Sequence, residues 1–173
     1  ATASNGDKLT IKQTLKYAKA LATAQRAKNK QRVKAIHAKI KHTRQDLIHK
    51  FTTQLVKDNA LIVVGDVRTT QFNSKKGKLA KSVYDAGWFE LKRQLTYKCE
   101  NAGCRFEIVN EKYTTQTCSC CGDMSSSLSG RAGLRIREWT CATCGTRHDR
   151  DINASKNILA VGLNRLVEGI PSL

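Results

Sequence analysis

Two Cys-x-x-Cys-Gly knuckles, at 118–122 and 141–145, leave few folds open to the segment they enclose. Cys118 and Cys121 stand three apart, 19 residues follow, and Cys141 and Cys144 repeat the pattern. Two cysteines at this spacing can aim both sulfurs at one ion if the backbone turns sharply between them, and four-cysteine zinc ribbons have this spacing. Gly122 and Gly145 each follow a pair, where a residue free to take positive φ lets backbone N–H groups approach the thiolates. The stretch SSSLSGRAG between the knuckles is too polar to hold a fold alone, so metal supplies much of its ordering energy. Cys120 lies inside the first knuckle and reads as a bystander, with a shifted register through it as the alternative. Free or redox-active thiols are the competing interpretation, and two matched knuckles weigh against it. With all four tetrahedral positions taken by protein, the Zn²⁺ is structural rather than catalytic.

The rest of the chain says what such a ribbon sits in. No apolar run approaches the roughly 18 residues of a membrane span, and the opening ATASNGDKLT lacks the charged-then-apolar pattern of a secretory signal. The expectation is a cytoplasmic, nucleic-acid-associated protein with no membrane partner. Seven cysteines without an export signal favour metal ligation over disulfides. The formal charge is +17, and residues 1–60 carry +11 of it, with Asp7, Asp46 and Asp58 as their only acids. An excess of that size attracts polyanions and opposes self-association. Nucleic acid is the favoured partner, ahead of an anionic membrane or protein surface. Lys28, Lys30, Arg32, Lys34, Lys41, Arg44, Lys75, Lys76 and Lys78 are the candidate phosphate contacts. Trp88 and Trp139 are candidates for base stacking, with core packing the favoured role for both.

From Leu9 to about Lys57 the pattern is helical, with Val33, Ile36, Ile40, Leu47, Phe51 and Leu55 at steps of three, four and seven. Arg44 falls on the same stripe and needs a carboxylate or phosphate partner unless it snorkels to the surface. The polar stretch 26–32 predicts a break between two antiparallel helices. Leu61-Ile62-Val63-Val64 reads as a buried strand, residues 71–78 as a basic loop, and residues 80–96 as a helix. Residues 105–109 alternate with period two and predict a second strand. After the Cys-rich segment, a helix is predicted from about Ile152 to Leu166, with Ile158, Leu159, Leu163 and Leu166 in the core. Strands with intervening helices imply an α/β sheet. Asp149 and Asp151, at the mouth of the last helix, read either as caps or as ligands of Mg²⁺.

The stretches RQDLIHK (44–50), LIVVGDV (61–67), YTTQTCSCCG (113–122), WTCATCG (139–145) and HDRDINASKNI (148–158) occur in an order that resembles the C-terminal half of the TnpB/OrfB proteins of insertion sequences, relatives of compact type V CRISPR effectors. Any one stretch is weak; the ribbon together with DRDxNA is specific. The resemblance implies a partial RuvC/RNase H-like α/β domain with an inserted four-cysteine ribbon and an N-terminal helical hairpin. The expected parts are a basic helical segment (1–60), a RuvC-like α/β part (61–112), the ribbon (113–148) and a RuvC-like C-terminal helix (149–173). It further implies an RNA-guided DNA endonuclease that uses three carboxylates and Mg²⁺, with DNA and a guide RNA as partners. The DRDxNA carboxylate maps to Asp151, with Asp149 beside it.

Two departures matter. The family's first Asp lies on a strand upstream of the long helices, and nothing before Leu9 supplies such a strand. Its second carboxylate is usually a Glu closing the strand matched by LIVV, where this chain has Gly65. Asp66 is one residue on, and a period-two strand turns it to the opposite face. Glu111, just after the 105–109 strand, is the candidate replacement, with an ordinary loop acid as the alternative reading. A complete site then needs a missing N-terminal portion or a second chain. The alternative is a non-catalytic, nucleic-acid-binding zinc-ribbon protein, decayed or regulatory.

Overall fold

The computed structural model describes residues 1–11, 13–66, 87–133 and 135–168. The basic loop with Lys75, Lys76 and Lys78, and the start of the helix expected at 80–96, lie outside the described residues. The described elements are α1 (Gln13–Arg26), α2 (Lys30–Asp58), β1 (Leu61–Gly65), α3 (Trp88–Ala102), β2 (Arg105–Val109), a 3₁₀ turn (Ser126–Leu128), the short α4 (Gly130–Gly133), β3 (Glu138–Thr140), β4 (Arg147–Asp149) and α5 (Arg150–Glu168). The chain divides into two compact units. One comprises Leu9–Ala60 and Arg68–Cys104; the other comprises Ala1–Lys8, Leu61–Val67 and Arg105–Leu173.

In the helical unit, α1 and α2 form a hairpin whose three-residue turn falls inside the predicted break. Asn29 caps α2 by accepting from the Arg32 backbone N–H at 2.9 Å. The buried ridge of α2 is Ile40, Ile48 and Thr52, packed in the core that Leu91, Gln94, Leu95 and Cys99 of α3 also line. Ile48 and Thr52 are fully buried, whereas the predicted Leu47, Phe51 and Leu55 are only half-buried. The stripe therefore sits one residue further round in the second half of α2, where α3 replaces α1 as the neighbour. A polar seam crosses this core. The Thr52 hydroxyl meets the Gln94 amide oxygen at 3.0 Å, and Lys98 Nζ donates to the His49 carbonyl (2.8 Å) and to the Thr52 and Thr53 hydroxyls (2.7 and 2.8 Å). Burial lowers the Lys98 pKa. Arg44 is half-buried on the same ridge, and its charge helps hold the Glu90 carboxyl below its usual range, after the larger effect of the hydrogen bonds from Arg93.

In the other unit, β1 and β2 pair in parallel, from Leu61 opposite Arg105 to Gly65 opposite Val109. The Asp66 N–H extends the ladder to the Val109 carbonyl at 2.7 Å. Helix α5 lies across the pair. Gly162 sits over Val63 and Ile158 reaches Gly65, so α5 runs opposite in direction to β1. A Cβ at Gly162 would collide with both Cγ atoms of Val63, which is why a helix that tolerates glycine poorly carries one here. Of the core contacts predicted on this helix, Ile158 and Leu159 are half-buried, but Leu163 is 45% exposed. Leu163 follows Gly162 by 100° of helical turn, and it is Gly162 that faces the strand. The second sheet is the antiparallel pair β3–β4, with Trp139 opposite His148. It closes a small core of Leu128, Trp139, Cys118 and Cys141, with Ile136 packed against it. Trp139 is thus a core residue. Among the described residues no helix is long and apolar enough to cross a membrane.

A four-thiolate centre and a strand-end carboxylate

The two knuckles fold alike. Gly122 N–H bonds to the Cys118 carbonyl and Gly145 N–H to the Cys141 carbonyl, both at 2.9 Å. Cys118 N–H reaches Asp123 O and Cys141 N–H reaches Thr146 O, at 2.8 and 2.9 Å. Both turns need positive φ, +78° at Gly122 and +70° at Gly145. The Sγ atoms of Cys118, Cys121, Cys141 and Cys144 all lie within 4.8 Å of one another. Cys118–Cys144 and Cys121–Cys141 are each 3.7 Å apart. A tetrahedron with Zn–S bonds of about 2.3 Å has edges of roughly 3.8 Å. The donor set and its spacing thus fit Zn²⁺. Cys120 is exposed and outside the cluster, so the register is the unshifted one.

Thiolate-supporting donors surround the sulfurs. The Thr146 hydroxyl oxygen lies 3.3 Å from Cys144 Sγ, and hydrogen bonding with the Thr146 side chain and backbone brings that thiol down to about 6. His148 Nε2 lies 3.1 Å from Cys118 Sγ, with its ring packed on Trp139 at 4.8 Å. Burial, with Lys156 nearby, lowers the His148 pKa and favours the neutral ring. A neutral imidazole beside a thiolate orients that ligand from outside the coordination shell. Sequence reading passed over His148, although its place just before DRD was visible.

Helix α5 starts at the motif HDRDINA, and most of its polar side chains bind protein. Asp149 accepts from the backbone N–H groups of Asp151 and Ile152 at 2.9 and 3.0 Å, which is a helix cap. Those bonds, the Ile152 one foremost, hold its carboxyl below the usual range, and Lys8 Nζ adds an ion pair at 3.4 Å. Arg150 is buried and donates to the Gly133 carbonyl at 2.5 Å. Asn153, 1% exposed, accepts from Ser119 N–H in the first knuckle (2.9 Å) and donates to the Thr117 carbonyl (2.7 Å). Asn157, one turn on, donates to the carbonyls of Thr114 and Thr117 at 2.8 and 2.7 Å. Neither asparagine was singled out from the sequence. Asp151 differs: it is exposed, and Arg137 pairs with it at 3.6 Å through mostly solvated side chains, a contact that contributes little.

Glu111 is the other acid of note. A Cβ built on Gly65 would lie 2.5 Å from Glu111 Oε2, 3.0 Å from Glu111 Cβ and 3.2 Å from Ile158 Cδ1. The Glu111 carboxylate therefore fills the space above the bare end of β1. Asp66 is exposed and one residue beyond. Asp151 lies seven residues before Ile158 on the sheet-facing stripe of α5, roughly 10 Å along the axis at 1.5 Å per residue. Both acids thus stand toward the C-terminal end of β1. Among the described residues no three carboxylates converge as the four thiols do.

Lys28, Lys30, Arg32, Lys34 and Lys41 are all exposed. Lys30, Lys34 and Lys41 share one face of α2, at steps of four and seven. Arg44 continues that face into the buried ridge, where it meets the field of Glu90.

Comparison with known proteins agrees with this architecture. Residues 88–158 match the family model of the Cas12f1-like TNB domain, and residues 3–74 match that of a probable transposase, OrfB of IS605. A putative RNA-guided DNA endonuclease of Streptomyces pristinaespiralis is 40% identical over 146 residues, covering 84% of this chain and 35% of the relative. The putative RNA-guided DNA endonuclease InsQ of Escherichia coli K12 is 31% identical over 149 residues, covering 78% and 36%. The chain spans about a third of the length of these relatives. In structure it is similar to the Cas12f1 chain of a complex with guide RNA and target DNA. The TM-score is 0.64 at 16% identity, over 86% of this chain and 42% of that one. With a ribbon, a fold and two family matches in agreement, the chain belongs to the TnpB/OrfB family of insertion-sequence proteins, relatives of Cas12f1.

Proposed function

We propose that this chain is the C-terminal part of a transposon-associated, RNA-guided, Mg²⁺-dependent DNA endonuclease of RuvC type, in which Glu111 has taken over the strand-end carboxylate position vacated at Gly65. The observation that carries this reading is the seating of the Glu111 carboxylate where the first atoms of a residue-65 side chain would lie. Asp151 is the second metal carboxylate. It is the acid of HDRD whose side chain is not engaged in capping, while Asp149 holds the helix start. Glu111 and Asp151 would hold Mg²⁺, a hard ion suited to carboxylate oxygens, and when bound it supplies Lewis-acid activation of water for phosphodiester hydrolysis. The third carboxylate comes from a preceding portion of the protein or from a second chain.

Within this reading the zinc is structural, and DNA and guide RNA are the partners. Lys30, Lys34 and Lys41 give α2 a cationic face for phosphates, flanked by Arg32 and by Lys28 in the preceding turn, so binding weakens steeply with salt through counterion release. Arg44, half-buried and within the field of Glu90, stands at the edge of that set. The absence of any three-carboxylate cluster among the described residues favours a second reading, a nucleic-acid-binding zinc-ribbon protein without catalysis. Mg²⁺-dependent cleavage of single- and double-stranded DNA, with and without co-purified RNA, separates the two. Cleavage abolished by Asp151→Ala and by Glu111→Gln supports the nuclease; salt-sensitive binding without cleavage supports the second reading.

A further inference from the structure

Tyr113 has a backbone conformation that a tyrosine rarely adopts, with φ at +66°. Residues held there carry strain of order 1 kcal/mol or more and persist only when their surroundings fix them. The surroundings do so here. The Tyr113 carbonyl accepts from Gln116 N–H (2.8 Å), Thr117 N–H (3.0 Å) and the Thr117 hydroxyl (3.1 Å). The Glu111 carbonyl accepts from Thr114 N–H and its hydroxyl at 3.2 and 2.8 Å. From α5, Asn153 and Asn157 grip the carbonyls of Thr114 and Thr117. A rigid turn therefore holds an aromatic ring out to solvent. Tyr113 is 48% exposed, and Lys112 Nζ stands 4.8 Å from its ring centroid. An open aromatic face with a cation over it, two residues from the Glu111 carboxylate, matches the way proteins grip single strands: stacking on bases and charge on phosphates.

We propose that Tyr113, with Lys112, is a stacking platform for a base of single-stranded nucleic acid entering beside Glu111. This rests on the nucleic-acid reading above and adds to it the strand's unpaired state and the residue that senses it. Trp139 is excluded from that role by its burial in the ribbon core.

The test uses the zinc-loaded full chain and two probes of equal phosphate number, a single-stranded oligothymidylate and an abasic oligonucleotide, followed by fluorescence anisotropy. Wild type favours the oligothymidylate by about tenfold, within the range of one stacked base. Tyr113→Phe keeps that preference. Tyr113→Gly loses most of it, binds the abasic strand with unchanged affinity and salt slope, and melts no lower than wild type, because glycine accepts positive φ without strain. An undiminished preference in Tyr113→Gly overturns the proposal, as does equal binding of the two probes by wild type. Failure of wild type to bind either probe would overturn the nucleic-acid reading as well.

Discussion

The packing of Glu111 on Gly65 makes a sign-changing prediction. Gly65 does not adopt positive φ, so alanine there is permitted by the backbone, and Gly→Ala at a compatible site stabilises by about 0.4–1 kcal/mol through the unfolded chain. Against this stand Glu111 Oε2 at 2.5 Å, Glu111 Cβ at 3.0 Å and Ile158 Cδ1 at 3.2 Å from the new methyl. Ordinary carbon contacts fall near 3.5–4.0 Å, and overpacking of this kind costs about 1–3 kcal/mol. Gly65→Ala therefore destabilises the wild-type protein by about 1 kcal/mol net. With Glu111→Ala in the background the 2.5 Å contact is gone, and the same substitution becomes neutral or mildly stabilising. The expected coupling is about 1–2 kcal/mol, within the range for residues in contact. It is read from denaturant unfolding of the zinc-loaded chain by tryptophan emission, in a Trp88→Phe background so that Trp139 alone reports the unit containing β1. Identical effects of Gly65→Ala in the two backgrounds would refute the placement of Glu111. Under the nuclease proposal, with the third carboxylate supplied, the related swap Gly65→Glu with Glu111→Ala moves the carboxylate to the strand and should recover the Mg²⁺-dependent cleavage that Glu111→Ala loses.

Other expectations follow from the same unit. Stripping zinc with a strong chelator removes a binding energy of about 10–16 kcal/mol in typical structural sites, so the ribbon core opens; Trp139 emission should shift red while far-ultraviolet circular dichroism retains the α1–α3 helical signal. Gly162→Ala should lower stability by about 1–2 kcal/mol net in a thermal melt, because driving a methyl into both Cγ atoms of stiff Val63 falls in the upper part of the roughly 1–3 kcal/mol range for overpacking and outweighs the gain of about 1 kcal/mol in helix propensity. The Asp149 cap carries a pH dependence. Its folded pKa is depressed, so its contribution is complete above the unfolded value near 4 and is lost as pH falls through the folded value. Asp149→Ala should cost about 1 kcal/mol at pH 7 and flatten the acid limb of stability against pH.

Periodicity and spacing made some features readable from sequence and hid others. The knuckles, the helical hairpin and the two strands of the parallel pair were legible because metal-ligand spacing, a 3.6-residue stripe and a β-branched run each act locally. The burial of Ile48 and Thr52 in place of Leu47 and Phe51 was not legible, since it depends on which helix packs on α2 in its second half. Thr52 and Gln94 look like surface residues until their mutual hydrogen bond and the Lys98 ammonium are seen. Strands β3 and β4 are three residues each, too short for any alternation to register. Leu163 looked like core because leucine usually is, yet it is Gly162 that faces Val63, where close approach leaves no room even for a Cβ. At the site, the sequence pointed to Glu111 only through a resemblance, and the contact with Gly65 adds the physical reason. Tyr113 gave no signal, because positive φ at a tyrosine follows from bonds made by residues as distant as Asn157.

Those bonds also give the zinc centre a consequence beyond its own fold. Asn153 holds the Ser119 N–H within the first knuckle with its amide oxygen and the Thr117 carbonyl with its amide nitrogen. Thr114, whose carbonyl Asn157 grips, donates from both backbone and hydroxyl to the Glu111 carbonyl. A chain of short contacts thus runs from the metal-bearing turn through α5 to the residue whose carboxylate covers Gly65. The start of α5 is fixed in the same way, by the Asp149 cap and by Arg150 reaching back to Gly133 in the ribbon. Both candidate metal acids, Glu111 and Asp151, therefore sit on backbone anchored to the ribbon. A thiolate site with no open coordination position does no chemistry itself. Under the nuclease proposal its part is to fix the backbone that carries the two carboxylates, since small displacements of such groups are costly to catalysis.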